Sequence, residues 1–198
     1  MIILENITKS INENMIVKHC TLKIGAGEAV CLCGPSGIGK TTLLEIAAGL
    51  TEPDTGNVHH ESDKLGCAFQ DDALVPWLNA LDNLLLVMPP KTDNPKKIAN
   101  LWLERFGLSP DIKPPKMSGG MRRRMGLARA FAVDPDILLL DEPFAFLDER
   151  WQDATAHCME KHRKDGNALL LVSHQKQFLN KINCRIVNIK EDPIHIKP

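Results

Sequence analysis

The stretch EAVCLCGPSGIGKTT, residues 28–42, decides the fold. Its first part, EAVCLC (28–33), is short, almost wholly apolar and ends abruptly. Such a run is how a strand reads when it lies in a parallel sheet covered on both faces. The second part, GPSGIGKTT (34–42), sets Gly34, Gly39, Lys40 and Thr41 in the pattern GxxxxGK[ST], and the residues after it are helical in character. A loop in that position turns successive backbone N–H groups inward, and a helix beginning near Lys40 adds the positive end of its dipole. The product is a phosphate cradle, in which glycine is required because a Cβ would block close approach. Gly34, Pro35, Ser36, Gly37, Ile38, Gly39, Lys40, Thr41 and Thr42 form it. Lys40 is expected to reach the β- and γ-phosphates and the Thr41 hydroxyl to ligate Mg²⁺. With glycine at ~7% of residues, a chance match somewhere in such a chain is on the order of one in a hundred.

Two more apolar runs, DILLL (136–140) and NALLLV (167–172), repeat the pattern, separated by helical segments. Each stops at polar residues: DEP (141–143) after the first and SH (173–174) after the second. In open α/β sheets ligands bind at the carboxyl ends of the strands, so the three clusters should converge. Asp141 is then placed to hold Mg²⁺, and Glu142 to orient or deprotonate an attacking water. His174 is placed to reach the γ-phosphate. These residues argue for a Mg²⁺-dependent nucleotidase on an α/β fold.

The bulk composition narrows the partners. Twenty-four basic residues against 25 acidic ones leave a formal charge of -1, so no long-range field favours nucleic acid or an anionic bilayer. No apolar run approaches the ~18 residues that span a membrane. MIILENITKS at the start lacks a cationic leader and carries Glu5 early, so a cytosolic chain without a signal peptide is expected. Cys31 and Cys33 share a strand face, but no His or Cys cluster completes a metal site around them, and the six cysteines read as buried free thiols.

Further motifs join these in a fixed order. Gln70 stands in CAFQDDA, MSGGM occupies 117–121, FLD occupies 146–148, and SH follows at 173–174. Together with GPSGIGKTT and ILLLDEP they resemble the ATP-binding subunits of ABC transporters from end to end. The resemblance implies an α/β P-loop NTPase fold with a RecA-like parallel sheet core, a small antiparallel β subdomain and an inserted α-helical subdomain. The chain would form one domain, with the core at 1–70 and 134–198 and the helical part at about 71–133. It also implies head-to-tail homodimers in which Ser118, Gly119, Gly120 and Met121 meet an ATP held by a second copy. By the same resemblance Glu142 polarises the hydrolytic water, His174 contacts the γ-phosphate and Asp148 links the two sites. Gln70 joins Thr41 and Asp141 around Mg²⁺ and transmits the change to a membrane permease. The helix behind MSGGM (117–121), the signature of the resemblance, fits independently: Met121, Met125, Ala128 and Ala132 recur on one face, and Ser118 with its glycines opens the N-terminus to an anion. The arginine run 122–124 is expected to solvate that helix and tune the dimer interface.

A finer likeness, in FQDDALVPWLNALDN (69–83), SGGMRRR and EPFAFLD, points to importer ATPases of the nitrate, sulfonate and taurine group. That group implies a permease docking near Leu74, Pro76, Trp77 and Leu78, a solute-binding protein acting indirectly, and a place on the cytoplasmic face of the membrane. Matching ITKSINENM to the family's adenine-stacking region puts Ile11 there, in a chain without tyrosine. His157 and His162 are expected to be solvated, 193–198 to be a tail, and no C-terminal regulatory domain to follow. A non-transport ABC ATPase is the alternative within the family. A P-loop GTPase or small-molecule kinase is the alternative outside it, with NKIN (180–183) a weak echo of a guanine-reading motif.

Overall fold

The computed structural model describes residues 1–71, 73–190 and 192–196. Asn12 and Glu13 both take left-handed backbone, with φ of 49° and 66°. That is the conformation of a two-residue hairpin turn whose twist matches its strands. It folds β1 (Ile2–Ile11) back onto β2 (Asn14–Ile24) in antiparallel register. β3 (Ala29–Cys33) then runs fully buried into the phosphate loop, and α1 (Lys40–Ala47) starts directly from it. β4 (Thr55–His60) pairs with β1 to complete a three-stranded antiparallel sheet, β2-β1-β4.

The chain next enters the second sheet at β5 (Leu65–Ala68) and leaves it for α2 (Ala80–Leu85), α3 (Pro95–Arg105) and α4 (Gly119–Ala132). Trp102, Phe106 and Phe131 stack at the centre of this helical group, with ring centroids 5.2 to 6.3 Å apart. β6 (Ile137–Asp141), α5 (Glu149–Lys164), β7 (Ala168–Val172), α6 (Lys176–Leu179) and β8 (Arg185–Asn188) follow. The five-stranded sheet is parallel and ordered β5-β6-β7-β3-β8. The strands bearing the three polar clusters are thus neighbours at its centre.

Period-2 geometry explains how these continuous apolar strands serve two cores. Cys31, Leu138, Leu140, Leu169 and Leu171 face the helical group and α5, whereas Val30, Leu32, Leu139, Leu170 and Val172 face α1 and the antiparallel sheet. The expected strand at 136–140 is shifted by one residue, so that Asp141 is the last strand residue and buried.

Two expectations are corrected. Residues 193–196 are not a tail: Ile194 is fully buried, accepts from Lys18 N (2.8 Å) and donates to Ile16 O (2.9 Å), while Thr21 N donates to Ile196 O (2.9 Å). Lys197 and Pro198, also assigned to the tail, lie outside the described residues. His157 is exposed as expected, but His162 is buried, bonded to Ala168 O at 3.2 Å and set edge-on to Phe131. A helix face turned to the sheet carries it, and burial lowers its pKa.

Candidate nucleotide site

Gly39 caps α1 in left-handed backbone, φ 102°, and, being glycine, places no side-chain cap on the first turn. A Cβ there would come within 2.2 Å of Ile16 Cγ2, so both conformation and space demand glycine. Lys40 Nζ donates to Gly34 O (3.0 Å) and Pro35 O (2.7 Å), which lays the ammonium against the loop's own backbone. Ser36, Gly37, Ile38 and Thr42 complete the turn into α1.

Thr41 Oγ1 donates to Asp141 Oδ2 at 2.7 Å, joining the helix start to the end of β6. Among the described residues no cluster of three or more His, Cys, Asp or Glu side chains is placed to hold a metal alone. A hydroxyl and a carboxylate fit Mg²⁺ nonetheless, because that ion takes hard oxygen donors, one or two from protein and the rest from phosphate and water. Gln70 is exposed and lines a groove with Leu74, Pro76, Pro114 and Arg122.

Beyond Asp141 the chain turns sharply. Glu142 has φ of 46°, and its N–H donates to Val172 O at 2.8 Å, across to β7. Its Oε1 meets His174 Nδ1 at 3.0 Å, while Oε2 is buried with no hydrogen-bond partner among the described residues. A buried acceptor of that kind is costly to leave unmet, which suits an oxygen that accepts from a water. His174, expected to reach a γ-phosphate, stands just beyond β7 with its side chain 73% exposed and its Nδ1 on Glu142.

Ser118 caps α4, its Oγ accepting from Met121 N at 3.2 Å. Gly119 faces open space, whereas a Cβ at Gly120 would lie 2.7 Å from Phe146 O. Met121 is half-buried against the core. Asp148 is exposed and caps α5, accepting from Trp151 N at 3.1 Å. Phe146 is 76% exposed in left-handed backbone, φ 61°. Ile11 is 43% exposed at the end of β1.

The reading of the arginine run is corrected. Only Arg122 is exposed; Arg124 bonds to Phe106 O and Gly107 O and lies 4.3 Å over the Trp151 ring. Arg123 is 3% exposed and reaches the backbone at the ends of β5 and β6. Asn83 is a second omission. Fully buried, it accepts from Val75 N and donates to Val75 O, Leu78 O and Asn79 O, fixing the loop that presents Trp77. Trp77 is 73% exposed, so core packing is not its role.

Comparison with known proteins gives the family. The family model for the ABC transporter domain matches residues 17–145. The taurine import ATP-binding protein TauB of Pseudomonas aeruginosa is 39% identical over 178 residues, 80% of this chain and 65% of that protein. The sulfate/thiosulfate import ATP-binding protein CysA of Halalkalibacterium halodurans is 34% identical over 98% of this chain and 60% of its own length. The chain therefore spans less than two thirds of these relatives. The dimeric bacterial ABC transporter cassette MJ0796 superposes with a TM-score of 0.89 at 30% identity, covering 100% of this chain and 97% of that one. Its post-hydrolysis dimer with ADP and Pi gives 0.88 at 29% identity. A match of this extent in both sequence and fold makes the chain a member of the ABC transporter family of ATP-binding domains.

Proposed function

We propose that this chain is the ATP-hydrolysing subunit of an ABC importer and works as a head-to-tail homodimer on a membrane permease. The observation that carries the reading is the conjunction at the strand ends: the Thr41–Asp141 bond, and beside it a Glu142 with one oxygen held by His174 and the other buried with no hydrogen-bond partner among the described residues. The backbone N–H groups of Gly34 and of residues 36–42, the α1 dipole and Lys40 bind the triphosphate. Thr41 and Asp141 would hold Mg²⁺, with Gln70 joining on closure, and the ion would supply charge neutralisation for the triphosphate. Glu142 Oε2 accepts a proton from the attacking water, and His174 keeps the other carboxylate oxygen oriented. Ser118, Gly119, Gly120 and Met121 cover the nucleotide of a second copy, and Asp148 lies between the two sites.

Dimeric relatives and importer names among the homologues support this assembly. No helix among the described residues is long and apolar enough to cross a membrane, so attachment at the cytoplasmic face would come through the permease. The exposed Trp77, with Leu74, Pro76 and Leu78, is the docking surface we assign to it; a solute-binding protein would act only through that permease. Ile11 would contact adenine by apolar packing alone. The NKIN segment forms a 3-10 turn tied to α5 by Lys181 and Asp153 (2.6 Å), which gives a guanine-reading role no support.

The test is Glu142→Gln, which keeps size and removes the base. Steady-state turnover should fall by roughly 10²- to 10⁴-fold while ATP binding and ATP-driven dimerisation persist. Wild-type turnover in that variant would sink the assignment.

A further inference from the structure

Arg123 lies in the second turn of α4, the helix that begins at Ser118, and it is 3% exposed. Its Nη1 donates to Phe69 O at 2.6 Å and its Nη2 donates to Asp141 O. Ala68 and Leu140 are register partners on the adjacent strands β5 and β6, so these are the next carbonyls along, at the strand ends. One planar fork thus spans two strand ends. Each of those carbonyls belongs to the peptide that launches a residue of the proposed mechanism: Phe69 precedes Gln70, and Asp141 precedes Glu142.

The consequence is sharpest at Glu142. The peptide between Asp141 and Glu142 is held from both sides, its C=O by Arg123 and its N–H by Val172 O at 2.8 Å. Glu142 leaves that peptide in left-handed backbone, φ 46°, a conformation that a non-glycine residue keeps only when its surroundings impose it. The geometry points to Arg123 as a positioning residue for hydrolysis: it fixes the peptide plane from which Glu142 projects, and with the same fork the start of the Gln70 segment. It acts through the two backbone carbonyls it holds. A lysine ammonium, a point charge on a flexible stem, cannot hold two carbonyls in one plane as a guanidinium does. Because Arg123 and the signature share one helix, movement of α4 on contact with a second copy would bear directly on the Glu142 peptide.

The inference rests on Glu142 being the base, and its test separates the two. Arg123→Lys and Arg123→Gln are measured in the full chain for kcat and KM of ATP hydrolysis, for binding of a fluorescent ATP analogue, and again in a Glu142→Gln background. A misplacement of about 1 Å costs up to about 10²-fold, so kcat should fall by roughly 10- to 100-fold in the Lys variant, with KM and analogue binding within about threefold. In the Glu142→Gln background the same substitution should cost nothing further, because residues acting through one group are not additive. The Gln variant serves if the Lys variant loses the wild-type circular dichroism spectrum. An unchanged kcat overturns the proposal, as does a loss that persists in full in the Glu142→Gln background or unfolding of both variants. Wild-type turnover in Glu142→Gln alone reveals failure of the base assignment separately, and the proposal falls with it.

Discussion

Truncating Asn83 should loosen the loop that carries Trp77 without touching the nucleotide site. The side chain is fully buried and bonded at both ends of its amide: Oδ1 accepts from Val75 N (2.9 Å), and the two Nδ2 hydrogens are shared among Val75 O (3.1 Å), Leu78 O (3.2 Å) and Asn79 O (3.0 Å). At a net ~1 kcal/mol per bond, reduced where water reaches the freed groups, Asn83→Ala should cost roughly 2–4 kcal/mol. Asn83→Asp is nearly isosteric but sets a carboxylate oxygen against three carbonyls in a dry site, and should cost more, about 3–5 kcal/mol. Urea denaturation followed by circular dichroism reads both, with stability taken from the shift in midpoint. Basal ATPase should stay within about twofold in the Ala variant, because Asn83 lies outside the nucleotide site, while stimulation by reconstituted permease drops. A loss under ~1 kcal/mol for Ala, or an Asp variant milder than Ala, would refute hydrogen-bond anchoring of this loop.

Thr41→Ala removes the hydroxyl bonded to Asp141 and should raise the Mg²⁺ concentration for half-maximal ATPase by roughly 10- to 100-fold, read by Mg²⁺ titration at fixed ATP. His162 has a folded pKa pushed below its ordinary value by burial, so the unfolded chain binds its proton first on acidification. Its contribution is present above the unfolded value of ~6.5 and is lost as pH falls from there through the folded value. His162→Gln should flatten that part of the stability–pH profile, and an unchanged slope would contradict it. Phe146 is exposed in left-handed backbone, so Phe146→Gly should relieve ~1 kcal/mol of strain in the nucleotide-free chain, seen as a higher denaturation midpoint; a lower midpoint would count against strain at this turn.

The central strands were readable because burial on both faces leaves no polar position within them; β3, β6 and β7 differ from their sequence-based spans by a residue or less. The edge strand β8 was not, since RIVN is four residues long with no fully buried position, too short for an alternation to show. The end of the chain was misread for a related reason. Residues 193–196 hold their place through backbone bonds to β2, and backbone bonding leaves little trace in side-chain type.

The site shows the same division more sharply. Lys40, Thr41, Asp141 and Ser118 act through short-range rules, a loop pattern, a strand end and a helix cap, and each rule operates within a few residues of sequence. Arg123, Asn83 and His162 act through backbone groups of other segments, and there a local rule misleads. Periodicity assigned α4 one apolar face, through Met121, Met125, Ala128 and Ala132, and left the arginines to solvent. Yet Leu127 and Ala130, on the opposite side, are buried as well. A helix enclosed on two sides has no wide polar face, so a charged residue on it must either escape along a narrow seam, as Arg122 does, or find partners inside. Three consecutive arginines step around the helix by about 100° each, so they cannot all share one seam. Had α4 been recognised as a central helix, at least one of them would have been expected inside, bonded to carbonyls at the strand ends it crosses.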